Sequence, residues 1–486
     1  VLDVSACRFE VTFLGHQSWA LDAGRGLVLV DPLLEDGMGD GLVPYLAVYP
    51  PRRLDAARMP PVAAVVLTHE HPDHFHLPSL ARIPRTVPIF LSSNASGAAR
   101  TALRELGFAV HAFRAGETVR VAGLELHPQR PLGRTRPDEW DVIPFLARDE
   151  GRNGSFFTTV DLSFDPSTAR ALARLEPRPI LWAVPNNDMD LSDLYTFSPP
   201  SADRSAQRAQ AWGAQLDELA STWGMPDAAL LYGGGFSFPG DLAWLNTRAF
   251  DCDGDAAIAA MPPGQAERFA SVLPGDSFAM VGGSLVVRRR VDWIVLPPPS
   301  SWPPRGASAV PRPAVDPFSR GRAPAPLAPD ERRALDDALA GLAAALYGGE
   351  LFAGLLGLVA SEIAPAAPTV AFLVHDLVDP GDLAVRVYDP TSATFSAAGE
   401  PRTDAWAACC ECFARDLLDG LTLAQSPGYT IFGRMRFHAR AGCERLDLDM
   451  ALYLYTHPLR APARFLEIYR RQLAALGPRA PDLPAR

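Results

Sequence analysis

The sequence predicts an α/β fold: a layered α/β domain over residues 1–295, then a smaller α+β domain over 328–486 behind a proline-rich linker. Three observations carry this. Val62 to Leu67 is an apolar run that reads as a buried strand and ends in a histidine-rich segment. Helical and strand patterns alternate after it, over 77–113, in an α/β rhythm. Residues 296–327, LPPPSSWPPRGASAVPRPAVDPFSRGRAPAPL, hold a Pro every few positions and read as a semi-rigid linker. At 486 residues the chain is also too long for one ordinary core.

Taken in order, 8–14 and 26–31 read as paired strands, with Gly15-His16-Gln17-Ser18-Trp19 turning between them. Residues 33–61 form a Gly- and Pro-punctuated loop of the kind that roofs a site. Helices are expected at 77–83 and 94–106, with strands at 87–92 and 108–113. Strand pairs follow at 118–122 and 124–129, then at 142–147 and 155–160. Asp165 is the expected cap of a helix over 166–175. A strand at 180–185, a helix at 200–222 and a strand at 228–232 complete a second half, before a helical pattern at 256–271 and two closing strands. Beyond the linker, helices are expected from Asp330 and over 350–362, then strands TVAFLVHDL and AVRVYDP. A helix over 404–419, strands YTIFGRMRFHAR and RLDLDMALYLYT and a last helix, APARFLEIYRRQLAAL, finish an α+β domain with an antiparallel sheet.

Composition narrows the partners. Hydrophobic residues make up 48% and charged residues 21%, which is globular. Net charge is −11 without a basic run, which argues against nucleic acid. No apolar run approaches the roughly 20 residues that span a bilayer, so no membrane partner is expected. No basic-then-apolar segment opens the chain, so a cytoplasmic location is expected. Cys409 and Cys412 make one C-x-x-C with no second pair, and no Cys-x-His occurs, so neither a zinc ribbon nor a Rieske centre is expected. Cys409, Cys410 and Cys412 sit in a helical pattern and read as reduced packing residues. His375, His438 and His457 each stand alone near strand patterns and read as structural.

The chemistry concentrates at His69–His76, where four imidazoles and two carboxylates follow the buried strand. Such a cluster resists burial without a counter-charge, and a divalent metal supplies one while taking neutral imidazole and carboxylate as ligands. His69-x-His71-x-Asp73-His74 after a hydrophobic strand resembles the metallo-β-lactamase superfamily at every motif position. The resemblance implies an αββα sandwich for the first domain. It makes His69, His71, Asp73 and His74 metal ligands and gives Asp161, at the end of the strand SFFTTV, the place of the metal-bridging carboxylate. His16, in a Gly-His pair ahead of the motif, is a pocket candidate or else a hydrogen-bonded core residue.

Two further histidines of an ordinary two-zinc hydrolase of that superfamily have no counterpart. Near 126–140 only His127 occurs, inside a strand and before a Pro, with Asp138 and Glu139 as possible substitutes; a carboxylate there suits iron better than zinc. Near 232–236 the chain reads YGGGF. Either the site holds one metal, or His76, Glu139, Asp188 or Asp190 join it. LLYGGGFSFPGDLAWLNTRAF followed by LPGDSFAMVGG resembles the metallo-β-lactamase domain of the CMP-N-acetylneuraminate and UDP-N-acetylmuramate hydroxylases. Residues 330–486 faintly resemble sterol-carrier-like tails.

Two functions are therefore expected. The first is a metal-dependent oxygenase with mono- or dinuclear Fe, hydroxylating a nucleotide sugar or specialised metabolite with electrons from a separate ferredoxin or Rieske protein. The alternative is a hydrolase of an ester, lactone or phosphodiester, with Zn, a metal-bound hydroxide and Asp73 as general base. Arg130, Arg134 and Arg136 would hold an anionic substrate, or belong to a solvated loop.

Overall fold

The computed structural model describes residues 8–39, 44–130, 141–186, 189, 194–195, 204–232, 234–247, 249–250, 254–305, 325–347, 370–375, 383–389, 392–398, 406–440, 442–443, 448–477 and 481–486. Two sheets face each other in its N-terminal part. Among the described residues the first runs, edge to edge, Ser284–Arg290, Asp276–Val281, Phe9–Gly15, Ser18–Asp22, Leu27–Val30, Val62–Leu67, Ile89–Ser92, Val110–Phe113. The second runs Val119–Val121, Leu124–Pro128, Phe145–Asp149, Ser155–Thr158, Leu181–Pro185, Ala228–Tyr232, Phe269–Ser271. Each sheet joins an antiparallel half to a parallel half, and the parallel halves carry the crossover helices.

The core between the sheets is built from alternate inward residues, among them Phe9, Trp19, Val66, Phe145, Phe156 and Leu230. Outside the second sheet, Pro166–Leu172, Arg204–Thr222 and Gly254–Ala259 pack through Trp212, Leu216 and Leu219. Outside the first, Leu77–Leu80 and Gly97–Glu105 cover Leu29, Val65 and Leu91. These four layers are the expected αββα sandwich.

The C-terminal part has its own five-stranded sheet, ordered Thr394–Ala398, Leu383–Asp389, Val370–His375, Ala408–Phe413, Met435–Ala439. It is mixed rather than antiparallel, because Val370–His375 pairs parallel with Ala408–Phe413. Three elements differ from the sequence reading. Residues 408–413, expected in a helix, form an interior strand between Val370–His375 and Met435–Ala439, since small buried Ala and Cys residues fill both of its faces; the helix begins only at Ala414. YTIFGRMRFHAR divides into a helix, Pro427–Arg434, and a strand, because Pro427 opens a helical turn. RLDLDMALYLYT holds the helix Leu448–Tyr455, whose Leu448 and Leu452 are buried one turn apart. In the first part, Pro262-Pro263 splits the expected helix 256–271, and a strand starts at Phe269. The expected helix 350–362 and most of the linker lie outside the described residues.

The end of the chain returns to the first sheet's outer layer. Helix Pro462–Leu476 packs Phe465, Ile468 and Tyr469 against the helices flanking Val62–Leu67. Arg82 grips Asp482 bidentately, and Val62 N donates to Pro484 O at 2.8 Å. Among the described residues no helix is long and apolar enough to cross a membrane.

His375 and His438 are not isolated: their Nε2 atoms lie 2.8 and 3.0 Å from the two carboxylate oxygens of Glu411 on the strand between them. Burial raises the Glu411 carboxyl, but the hydrogen bonds from both imidazoles outweigh it and bring it from 4.5 down to about 2. A carboxyl depressed on folding stabilises above its unfolded pKa and loses that contribution as pH falls through the folded value. Glu411→Gln is therefore expected to be less stable than the parent at pH 6, with the gap closing between about pH 4.5 and 2 in urea unfolding.

Candidate metal centre

Strand Val62–Leu67 is buried between Leu27–Val30 and Ile89–Ser92, and both it and its neighbour deliver polar side chains at one edge. Asp31 ends the neighbour. Its Oδ1 accepts from Thr68 N at 2.8 Å, and its Oδ2 accepts from Thr68 Oγ1 at 2.6 Å and from His74 Nδ1 at 2.8 Å. Since the Thr68 hydroxyl donates to Asp31, its oxygen accepts from His69 Nδ1, 3.0 Å away. One carboxylate thus sets both rings with Nε2 turned inward, as outer hydrogen bonds orient metal-binding imidazoles. His74 N and Phe75 N both bond to His71 O, closing the tight turn that brings the motif together.

Asp161 meets them from the other sheet. Its Oδ2 lies 3.2 Å from His69 Nε2, 3.0 Å from His74 Nε2 and 4.0 Å from His71 Nδ1, while Gln17 Nε2 donates to Oδ1. Tyr232 Oη donates to Val160 O at 2.8 Å, holding the positive-φ turn (Val160, φ 57) that aims Asp161. Asp73 stands at the rim, 3.6 Å from His74 Nε2, and His16 Nε2 lies 2.7 Å from its Oδ2. Asp165 caps the helix after Asp161, accepting from Ser167 N and Thr168 N, as expected.

The electrostatics describe a site that needs a cation. Burial raises Asp161, yet His74 and the bonds from His69 and His74 outweigh it and hold the carboxyl well below its usual range. Burial likewise disfavours a charged His74, but Asp161, Asp73 and Asp31 around it push its pKa well above the ordinary value. His71 goes the other way, lowered by burial and by His69 and His457, and so is neutral. The Nε2 atom of His71 is buried without a hydrogen-bond partner, and those of His69 and His74 face the Asp161 carboxylate. Carboxylates forcing a proton onto one imidazole, beside a neutral imidazole nitrogen with no partner, fit a divalent ion bound in the proton's place.

Among the described residues three groups have ligand atoms within 4.8 Å of one another: Asp31, His69, His74; His69, His71, Asp161; and His71, Asp141, His457. In the first, Asp31 is engaged with Thr68 and His74 Nδ1 and acts by orientation. The third extends the cluster past His71 and contains two residues that sequence reasoning missed. Asp141 lies two positions from the expected Glu139. His457 follows helix Leu448–Tyr455, and its ring is 5.7 Å from that of His71. Burial, then His69 and Arg460, bring His457 down to about 4.

Other candidates are elsewhere. His76 Nδ1 bonds Ser79 Oγ at 2.7 Å, burial and Arg52 bring it down to about 3, and it joins none of the three groups. His127 pairs with Thr118 Oγ1 at 3.1 Å, within the second sheet. Arg130 is exposed, and Arg134, Arg136, Asp138, Glu139, Asp188 and Asp190 lie outside the described residues. Glu70, a variable position of the motif, is a buried tie: Ser96 N, Ser96 Oγ and Tyr469 Oη donate to it, and burial lifts its pKa to about 7.

Gly235, shortly after strand Ala228–Tyr232, has a steric reason. A Cβ on Gly235 would come within 2.8 Å of His16 N and Cα and 3.0 Å of Tyr49 O, so the chain approaches the His16 backbone too closely for any side chain. A histidine at that position would displace His16, the partner of Asp73.

A family model described as a beta-lactamase superfamily domain matches residues 27–188. That stretch holds Asp31, the histidine motif, Asp141 and Asp161. Residues 27–188 are thus similar to a beta-lactamase superfamily domain. Solved structures similar to the chain include CmlA, a diiron β-hydroxylase from Streptomyces venezuelae, at 18% identity and TM-score 0.37, covering 56% of this chain and 54% of that one. Igni18, a metallo hydrolase from Ignicoccus hospitalis KIN4/I, is 12% identical with TM-score 0.36, covering 56% and 98%. An isothiocyanate hydrolase from Delia radicum gut bacteria is 14% identical with TM-score 0.36, covering 56% and 99%. No curated protein matches the chain.

Two substitutions probe this candidate site. Asp31→Asn removes the charge that orients His69 and His74, and metal affinity in a chelator competition is expected to fall about 10- to 100-fold with the fold retained. Gly235→Ala is expected to cost about 1–3 kcal/mol in urea unfolding, because the His16 backbone must give way.

Proposed function

We propose that this protein is a non-haem iron oxygenase that hydroxylates a small specialised metabolite, with electrons from a separate ferredoxin or Rieske protein. The observation that carries the reading is Asp141 beside His71: a carboxylate stands at the end of the cluster where a two-zinc hydrolase of the resembled family supplies imidazole. The added carboxylate hardens the donor set and favours iron over zinc. His69, His71, His74, Asp73, Asp141 and Asp161 would hold the metal. Bound iron supplies dioxygen activation, in which a C–H bond, O₂, two electrons and two protons become C–OH and water.

The surrounding residues do the rest. His16 and Asp73 hold a proton between Nε2 and Oδ2 at the rim, 2.7 Å apart, where protons are consumed. A narrow cleft opens beside His71, lined by Pro72, Phe75, Tyr453, Phe465 and Tyr469 among others. No Arg or Lys lines it among the described residues, which favours a largely uncharged, partly aromatic substrate over a nucleotide sugar.

The hydrolytic reading keeps one specific support, the same His16–Asp73 pair, which would orient and deprotonate an attacking water. One measurement separates the two. Protein purified without added metal, then loaded anaerobically with Fe(II) and chemically reduced, is expected to hold near-stoichiometric iron and to consume O₂, and Asp161→Ala to do neither. Firmly held zinc with no O₂ uptake would instead support hydrolysis of an ester, lactone or phosphodiester.

A further inference from the structure

The C-terminal part of the chain puts a histidine into the metal centre. His457 is 3% exposed, and its Nε2 is buried without a hydrogen-bond partner. An unpartnered imidazole nitrogen in a dry interior is costly, and a cation or a bound ligand group is what relieves it. Its ligand atom lies within 4.8 Å of those of His71 and Asp141, and the His71 Nε2 is also buried without a partner. Two imidazoles and one carboxylate are the donor set of open-sided iron(II) sites.

The position is built rather than incidental. His457 ends the turn after helix Leu448–Tyr455, with its own N bonded to Leu454 O and its carbonyl accepting from Arg460 N and Ala461 N. The helix that follows is tied to the motif itself, since Tyr469 Oη donates to Glu70, the residue between His69 and His71, at 2.9 Å. Arg470 bonds Glu105 on the neighbouring helix. Leu459 N approaches His457 Nδ1 at 3.3 Å, at the far limit of a hydrogen bond. That contact orients the ring weakly, and ligation through Nε2 moves the ring proton to Nδ1 and gives it up.

We infer that His457 is a metal ligand: with His71 and Asp141 it holds an ion on the outer side of His71, so the centre is completed from the C-terminal part of the chain. The inference rests on the metal-centre reading but not on the choice between oxygen chemistry and hydrolysis.

The test is binding of Co(II) to full-length protein, followed by visible absorption and by competition with a chelator. Parent, His457→Ala, His457→Asp and Asp161→Ala are compared after circular dichroism confirms that each is folded. His457→Ala is expected to lose one equivalent of metal or to bind about a hundredfold more weakly, with an altered cobalt spectrum. His457→Asp, which keeps a donor atom, is expected to recover most of the loss; a packing role would not be rescued by a carboxylate. If His457→Ala binds cobalt like the parent while Asp161→Ala does not, the centre stands and His457 is no ligand. If the parent takes up no metal, the metal-centre reading falls and this inference with it. Should His457→Ala fail to fold, His457→Asp decides alone: a cobalt spectrum shifted by the exchange of a nitrogen for an oxygen donor supports ligation, while a spectrum and stoichiometry unchanged from the parent overturn it.

Discussion

The buried carboxylate of Asp31 is the interaction on which the site depends. It ends one parallel strand and binds the first residue beyond the next, so two strand ends and two imidazoles share a single anchor. Without it, His74 Nδ1 and the Thr68 hydroxyl would be polar groups stranded in a dry interior, a cost of order 1–3 kcal/mol each. With it, the nitrogens that face Asp161 are decided by hydrogen bonds rather than by chance rotamers. The sandwich supplies the other half of the geometry: one sheet delivers the motif, the other delivers Asp161, and the core between them fixes the gap.

Charge explains why so polar a cluster can be buried. Asp31, Asp73 and Asp161 surround His74 and draw a proton onto it, whereas His71, flanked by His69 and His457, is driven neutral. Neighbouring imidazoles pushed in opposite directions are a structure prepared to exchange a proton for a metal ion. The same reasoning makes Gly235 a constraint of function as well as of space. Gly235 lets the chain lie on the His16 backbone, and His16 in turn engages Asp73 at the rim.

The C-terminal part does more than follow a linker. Its own sheet and helices surround a separate core, but its last helix joins the outer layer of the first sheet, and the turn before that helix carries His457 to the motif. Tyr469 on Glu70 and Asp482 on Arg82 hold this arrangement at two separated points. A change in the packing of Pro462–Leu476 would therefore reach the metal cluster directly, through the turn that bears His457.

Much of the N-terminal part was legible in the chain itself. Strand periods, the Asp165 cap and the spacing of His69, His71, Asp73 and His74 are local, and local signals survive in sequence. The αββα layers, and the expectation that Asp161 faces the motif, came from the resemblance those residues carry rather than from local periodicity. Less was legible where short apolar runs fit either period: Ala408–Phe413 and Leu448–Tyr455 took the structure that their neighbours' packing allowed. His457 shows the limit most clearly. Its own surroundings in sequence carry no ligand pattern, and it lies far along the chain from His71, so only the return of the last helix to the first sheet brings it to the cluster. The sequence by itself determined the strand and the candidate ligand motif behind it, because both are written in residue spacing; the tertiary structure alone decided which distant side chains come up to that motif, because that depends on where the chain comes back.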